Sequence, residues 1–230
     1  MSKNCKQKLL IVQPHSDDIL FSCSGFLFLP NYEVEVLTIE NNKKRIAEDT
    51  KLFDFLQIPF YHLNVDYDDE SYYAYHNTYK KTELTVEKAY NCLIDCCGRD
   101  ILDEFEQQIE EFLTKYKKSH KDFIVVSPWG IGHPFHLFVR EIIQRNISNL
   151  WYYREFPHSF KRMAKEQVAN QLNDYKLIQK IPIEDFADIK WSLGKKFYKT
   201  QSSMFFYEKG YMDKNIPEEI YVRKDQELPF

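Results

Sequence analysis

Residues Lys8 to Asp18 read KLLIVQPHSDD: a short apolar run that stops at a Pro-His-Ser-Asp-Asp turn, before a second apolar stretch from Ile19 to Leu29. An unbroken apolar run of strand length reads as a buried strand, the turn as a loop, and the longer stretch as a helix. The alternation continues outward. Val34 to Ile39 (VEVLTI) is rich in β-branched residues and predicts a second strand. Asn41 and Asn42 then offer caps for a helix carrying Ile46, Leu52, Phe53 and Leu56, and Pro59 to Val65 predicts a third strand. Ile101, Leu102, Phe105, Ile109, Phe112, Leu113 and Tyr116 recur at helical spacing with charges between them, the pattern of an amphipathic helix with one solvated face. Phe123 to Ser127 (FIVVS) predicts a fourth buried strand. It runs into a loop, Pro128 to His136, that holds two glycines and two prolines. Helices are expected over Leu137–Arg145, Lys161–Leu172 and Ile189–Lys199, and a strand over Leu150–Tyr153. Strands alternating with helices imply an α/β fold with a mostly parallel sheet flanked by helices. No linker, repeat or low-complexity run divides the chain, so residues 1–230 are expected to form a single domain. Asp66 to Cys97, with Tyr67, Tyr72, Tyr73, Tyr75, His76 and Tyr79, fits neither strand nor helix and reads as an insertion (66–97) near the active site.

Composition narrows the function. The chain has 31 Lys and Arg against 35 Asp and Glu, a formal net charge of -4, which argues against a nucleic-acid partner because such proteins usually carry a clear positive excess. With 43% hydrophobic residues it can bury a sizeable core. Its longest apolar stretch, Ile19 to Pro30, is interrupted by Ser22, Cys23, Ser24 and Gly25, far short of the roughly 20 residues of a membrane span. The apolar run before Gln13 is too short for a signal-peptide core, so a cytoplasmic location is expected. Five Cys without regular spacing make no disulfide framework. Cys92 and Cys96 would share a helix face, but no further ligands follow at zinc-site spacing, and buried free thiols are the better reading.

In a parallel sheet, ligands sit outside the carboxyl ends of the strands, so the loops after the first and fourth strands carry the most weight. The first holds His15, Asp17 and Asp18; the other holds His133 and His136, spaced to share one face of a helical turn. Two His and one carboxylate make a common catalytic zinc set with a fourth position open to water. Adjacent carboxylates are poorly placed to reach one ion together, so one would bind metal and the other would handle protons. The competing reading makes the Asp pair a cap for the following helix.

The PHSDD pattern at Pro14 to Asp18, with HPFH at His133 to His136, resembles the zinc-dependent LmbE/PIG-L family of N-deacetylases. Weaker echoes extend over most of the chain: Arg45 with Glu48, Tyr152 to Pro157 (YYREFP), and Tyr198 to Gln201 (YKTQ). The resemblance implies a Rossmann-like sheet in which His15, Asp18 and His136 hold Zn2+ and Asp17 is the general base. His133 would stabilise the oxyanion or protonate the leaving amine. It further implies a small-molecule substrate, an N-acylated amino sugar of the N-acetylglucosamine type or a conjugate of one. The sequence departs from the family pattern at Ser16, Ile19, Phe135 and Ile131, where members usually carry Pro, Glu, Asp and, in some, a Tyr that polarises the carbonyl. Loss of the two acids removes partners that would orient metal ligands. A non-catalytic carbohydrate-binding or regulatory protein of the same fold is therefore the alternative, and an ester hydrolase a third reading.

Among the remaining residues, His62, His76, His120 and His158 read as hydrogen-bonded core or surface residues. Arg45 and Glu48 form either an exposed helical pair or, through Arg45, a substrate contact. The tyrosines of the insertion read as packing rather than a sugar platform.

Overall fold

In the computed structural model of the chain, the first apolar run forms β1 (Gln7–Gln13), buried from Leu9 to its end. Side chains alternate along a strand, so unbroken burial requires cover on both faces. Leu10 and Val12 accordingly lie in one apolar cluster, and Leu9 and Ile11 in another. The structure describes residues 6–40, 42–63, 65, 69–79, 83–161, 164–181, 186–201 and 217–226.

β1 pairs in parallel with β2 (Tyr32–Thr38) on one side and β4 (Phe123–Pro128) on the other. β3 (Phe60–His62) continues the parallel sheet beyond β2, and β5 (Leu150–Tyr153) continues it beyond β4. The far edge changes direction: β7 (Glu218–Arg223) runs antiparallel to β5, and β6 (Tyr175–Ile181) antiparallel to β7. The order is β3-β2-β1-β4-β5-β7-β6. The expected mostly parallel α/β sheet is therefore present, with an antiparallel edge that sequence reading omitted. Strand order reverses between β1 and β4, and in such sheets a crevice opens outside the carboxyl ends of the two strands at that point.

Helices cover both faces. On one, α1 (Asp18–Ser22), α2 (Gly25–Phe28) and α3 (Lys43–Leu56) bring Ile19, Leu20, Phe26, Leu52 and Phe53 against Leu9 and Ile11. On the other, beyond α4 (Ser71–Tyr79), the helices α5 (Val86–Cys97), α6 (Arg99–Ser119) and α7 (Pro134–Asn146) bring Leu93, Phe105, Ile109, Phe138 and Ile142 against Leu10 and Val12. α8 (Lys165–Gln171) is shorter than expected, and α9 (Ala187–Phe197) adds Leu193 to the first face. Among the described residues no helix is long and apolar enough to cross a membrane.

Two expectations are corrected. The helix expected over Ile19–Leu29 breaks between α1 and α2, because Ser24 Oγ and the Gly25 N–H donate to the Glu218 carboxylate at 2.7 and 2.8 Å. A Cβ at position 25 would collide with Ile181, so the approach of the antiparallel edge also requires glycine there. The stretch expected to be irregular, 66–97, contains α4 and α5; Tyr67 lies outside the described residues. Its helical period is hidden because the inward positions are Ser71 and Tyr75 on α4 and Ala89, Cys92 and Leu93 on α5, few of them large aliphatics. Tyr75, Leu84, Ala89 and Cys92 pack on Leu137 of α7, and Thr85 Oγ1 caps α5 by accepting from the Lys88 N–H at 3.3 Å. Cys23, Cys92, Cys96 and Cys97 are free thiols, the first two buried.

Lys190, 5% exposed, donates from Nζ to Glu218 at 2.9 Å and to the Phe21 carbonyl at 2.6 Å, tying α9 to α1 and to β7. Removing one member of a buried pair strands the other charge. Lys190→Met is expected to lower the unfolding free energy by about 3–5 kcal/mol, measurable as a drop in the urea midpoint at unchanged slope; a variant as stable as the wild type would refute this account of the pair.

Candidate active site

The crevice between β1 and β4 is built from two turns that leave the sheet side by side. At the end of β1, Gln13 donates from Nε2 to Thr38 Oγ1 (2.8 Å) and Asp49 Oδ2 (2.9 Å), and its Oε1 accepts from the Ile19 N–H at 3.1 Å. Asp49 also accepts from Thr38 Oγ1 and from Tyr198 Oη, at 2.8 and 2.6 Å. These buried bonds fix where α1 begins and hence where Asp17 and Asp18 stand. Asp17 is the N-cap residue of α1, yet its side chain makes no capping hydrogen bond. Asp18 instead folds back, its Oδ2 accepting from the His15 N–H at 2.8 Å.

The second turn follows β4. Gly130 has φ +77°, and a Cβ there would come within 2.9 Å of Leu137 Cα. Glu155, fully buried, accepts from the Gly130 and Ile131 N–H groups, the latter at 3.1 Å, and pins the loop from behind. α7 then starts at Pro134 with His133 as its N-cap residue, and His136 faces inward from its first turn.

The two turns bring the sequence-derived residues together. His15 Nδ1 lies 3.0 Å from His136 Nε2, and Asp18 Oδ2 lies 3.5 Å from the former and 3.3 Å from the latter. Ligand atoms about 2.0–2.1 Å from a tetrahedral zinc stand about 3.3 Å apart, so this triangle of buried donors has the dimensions of three corners of such a site. His133 also belongs to the cluster, but the three histidines offer nitrogens only within 4.8 Å of one another, a wider set. The His133 ring stacks on that of His136 with centroids 4.6 Å apart, which places it beside the triangle.

Electrostatics separate the two carboxylates. Burial pushes the Asp17 carboxyl up, opposed by the Arg45 guanidinium and reinforced by Asp18. For Asp18 burial acts in the same direction, but His136 and His15 outweigh it and hold the group below the usual carboxylate range. Burial, with His136 and His15 nearby, holds His133 well below the ordinary imidazole range, so it is neutral near pH 7.

Arg45 does not form an exposed helical pair with Glu48, which is buried. Its Nη1 donates to Glu40 Oε2 at 3.0 Å, and with the Gln201 amide oxygen turned toward it, Nε and Nη2 donate there, the former at 2.8 Å. Glu40 in turn accepts from the Ser16 N–H at 3.4 Å, so Arg45 braces the histidine turn from outside. Glu48 is buried and accepts from the Thr200 N–H and Oγ1 at 2.9 and 2.5 Å. The YKTQ segment thus wraps α3 through Tyr198, Thr200 and Gln201. Ile19, Ile131 and Phe135 are fully buried in the apolar clusters, and no carboxylate comes from those positions.

Sequence reading missed three site residues. Asp69, next to α4, places Oδ2 2.9 Å from His15 Nε2. Glu155 Oε1 lies 3.8 Å from His136 Nδ1. His158, expected to be an ordinary core or surface histidine, packs edge-on against His133 at 4.7 Å between ring centroids. Only Glu155 carried a signal, inside the YYREFP echo. His120 is a surface histidine bonded to Ser119, and His62 lies on the edge strand β3.

The left-handed backbone and the contact with Leu137 together demand glycine at position 130. Gly130→Ala is expected to cost at least roughly 1–3 kcal/mol from backbone strain alone, read by urea unfolding; wild-type stability would show that the loop has freedom this geometry denies.

Compared by sequence, the chain matches no family model and no curated protein. Among solved structures it is similar to the zinc-inhibited form of teicoplanin deacetylase Orf2, with a TM-score of 0.59 and 15% identity over 96% of this chain and 100% of that one. It is also similar to a deacetylase–teicoplanin complex, with a TM-score of 0.56 and 16% identity over 95% of this chain and 100% of that one. At these identities the likeness is one of fold, and the chain shares the α/β fold of those deacetylases across nearly its whole length.

Proposed function

We propose that the protein is a zinc-dependent hydrolase that removes an N-acyl group, in the simplest case acetyl, from an amino sugar or sugar conjugate. The observation that carries this reading is the donor triangle of His15 Nδ1, Asp18 Oδ2 and His136 Nε2 at 3.0–3.5 Å, with Asp17 beside it and not engaged in helix capping. The sugar comes from the family resemblance, and removal of an acyl group is supported both by that resemblance and by the fold shared with teicoplanin deacetylase.

His15, Asp18 and His136 would hold the ion, which when bound supplies a Lewis acid and acidifies a water in its open position. Asp17 takes the proton of the attacking water. Its rise and the fall of Asp18 divide the labour as two carboxylates with opposed environments do. Neutral His133 donates an N–H hydrogen bond to the carbonyl oxygen as charge develops there, and the proton that Asp17 took from the water passes on to the departing amine. Arg45, through Glu40, keeps the His15–Asp18 turn in register, and Tyr72, stacked on His133 at 5.3 Å between ring centroids, limits water on that side.

Asp17→Ala is expected to keep zinc while amide hydrolysis falls about 10²–10⁴-fold, and His136→Ala to lose the zinc itself. Metal analysis paired with amine release from N-acetylglucosamine-type substrates reads both, and ester analogues of the same sugars test the choice of bond. Full activity in Asp17→Ala would sink the base assignment; zinc without amine release from any N-acyl sugar would favour the carbohydrate-binding alternative.

A further inference from the structure

Asp69 touches the candidate metal site and the start of the inserted helix at once. Its Oδ2 lies 2.9 Å from His15 Nε2 and 3.7 Å from His133 Nε2, while its Oδ1 accepts from the Ser71 N–H at 2.8 Å, in the turn that opens α4. The carboxylate is 1% exposed. His15 therefore directs its two ring nitrogens to different partners: Nδ1 to Asp18 and His136, Nε2 to Asp69.

A neutral imidazole carries one N–H. An acceptor at Nε2 holds the proton there and leaves the Nδ1 lone pair facing the triangle, and an anionic acceptor also makes that lone pair more basic. α4 is held over the same spot by other contacts. Tyr72 stacks on His133, and Lys161 Nζ donates to Tyr72 Oη at 2.6 Å. Neither position where the family resemblance expects an acid supplies one, since Ile19 and Phe135 are core residues.

We propose that Asp69 is a positioning residue for His15, delivered by the insertion, and that it couples docking of α4 to metal binding at the site. This rests on the metal-site reading above and assigns the insertion a function in it. Because coupling between two sites is reciprocal, whatever α4 docking contributes to ion affinity, the ion returns as protection of α4.

The test titrates metal-free wild type, Asp69→Asn, Asp69→Ala and His136→Ala with zinc against a chromogenic chelator, and follows hydrogen exchange of the α4 amides with and without zinc. Asp69→Ala is expected to bind zinc about 10–100-fold more weakly, and Asp69→Asn at least as weakly, because its amide NH2 faces His15 Nε2 and favours the proton on Nδ1. Asp69→Asn keeps an Oδ1 for the Ser71 N–H, so its loss cannot be assigned to the start of the helix. Zinc should slow exchange in α4 of the wild type and not of Asp69→Ala. Affinities of both variants within about twofold of wild type, or equal slowing of α4 in Asp69→Ala, overturns the proposal while the metal site stands. If Asp69→Ala does not fold, Asp69→Asn decides at the same threshold. A wild type whose zinc binding is absent, or survives in His136→Ala, overturns both this proposal and the metal-site reading.

Discussion

Parallel pairing of β1 with β4 is the contact on which the site depends. Both strands are buried on both faces, so their backbone groups must bond to each other and their side chains to helices above and below. Running the same way, they release their loops at one edge of the sheet. The Pro14–Asp18 turn and the Gly130–His136 loop then face each other, although more than a hundred residues separate His15 from His136 along the chain. Everything else in the crevice refines a meeting that strand pairing imposes. Gln13 and Asp49 fix the start of α1, Glu155 holds the back of the glycine loop, and Arg45 braces Glu40.

The crevice concentrates charge where water is scarce. Asp17, Asp18, Glu40 and Glu155 are all buried, as is the Asp69 carboxylate, and Arg45 is the guanidinium among them. Like charges at short range in a buried site are unfavourable unless one is neutralised or a cation joins them. Burial pushes the Asp17 carboxyl up and Arg45 opposes that rise, while imidazoles surround Asp18. A divalent ion in the triangle would be such a cation. On this view the acids are required by the chemistry, and the expensive burial is tolerated because the apolar sheet around it is extensive.

Much of the site was legible before the fold. PHSDD directly after a buried strand and HPFH after another put metal-type donors at strand ends, and the structure brings His15, Asp18 and His136 to within 3.5 Å. The motifs were readable because each lies within a few residues of a strand whose apolar run is unmistakable. Asp69 was not readable: it sits in an acidic, tyrosine-rich stretch where nothing local points at His15. His158 shows the same limit. Its neighbours in sequence describe a turn, and its neighbours in space are His133 and His136.

Sequence by itself determined the α/β class, the parallel core and the residue types of the triangle, because hydrophobic period and turn chemistry are local properties of the chain. Only the tertiary structure decided that helix formation stops at Cys23, since Glu218 arrives from the far end of the chain to take the Ser24 hydroxyl and the Gly25 N–H. It also decided that Arg45 serves Glu40 and Gln201, and that the tyrosine-rich segment forms helices whose small inward residues pack on Leu137. In each case the partner is remote in sequence, and an interaction between remote residues leaves no period or spacing in either segment.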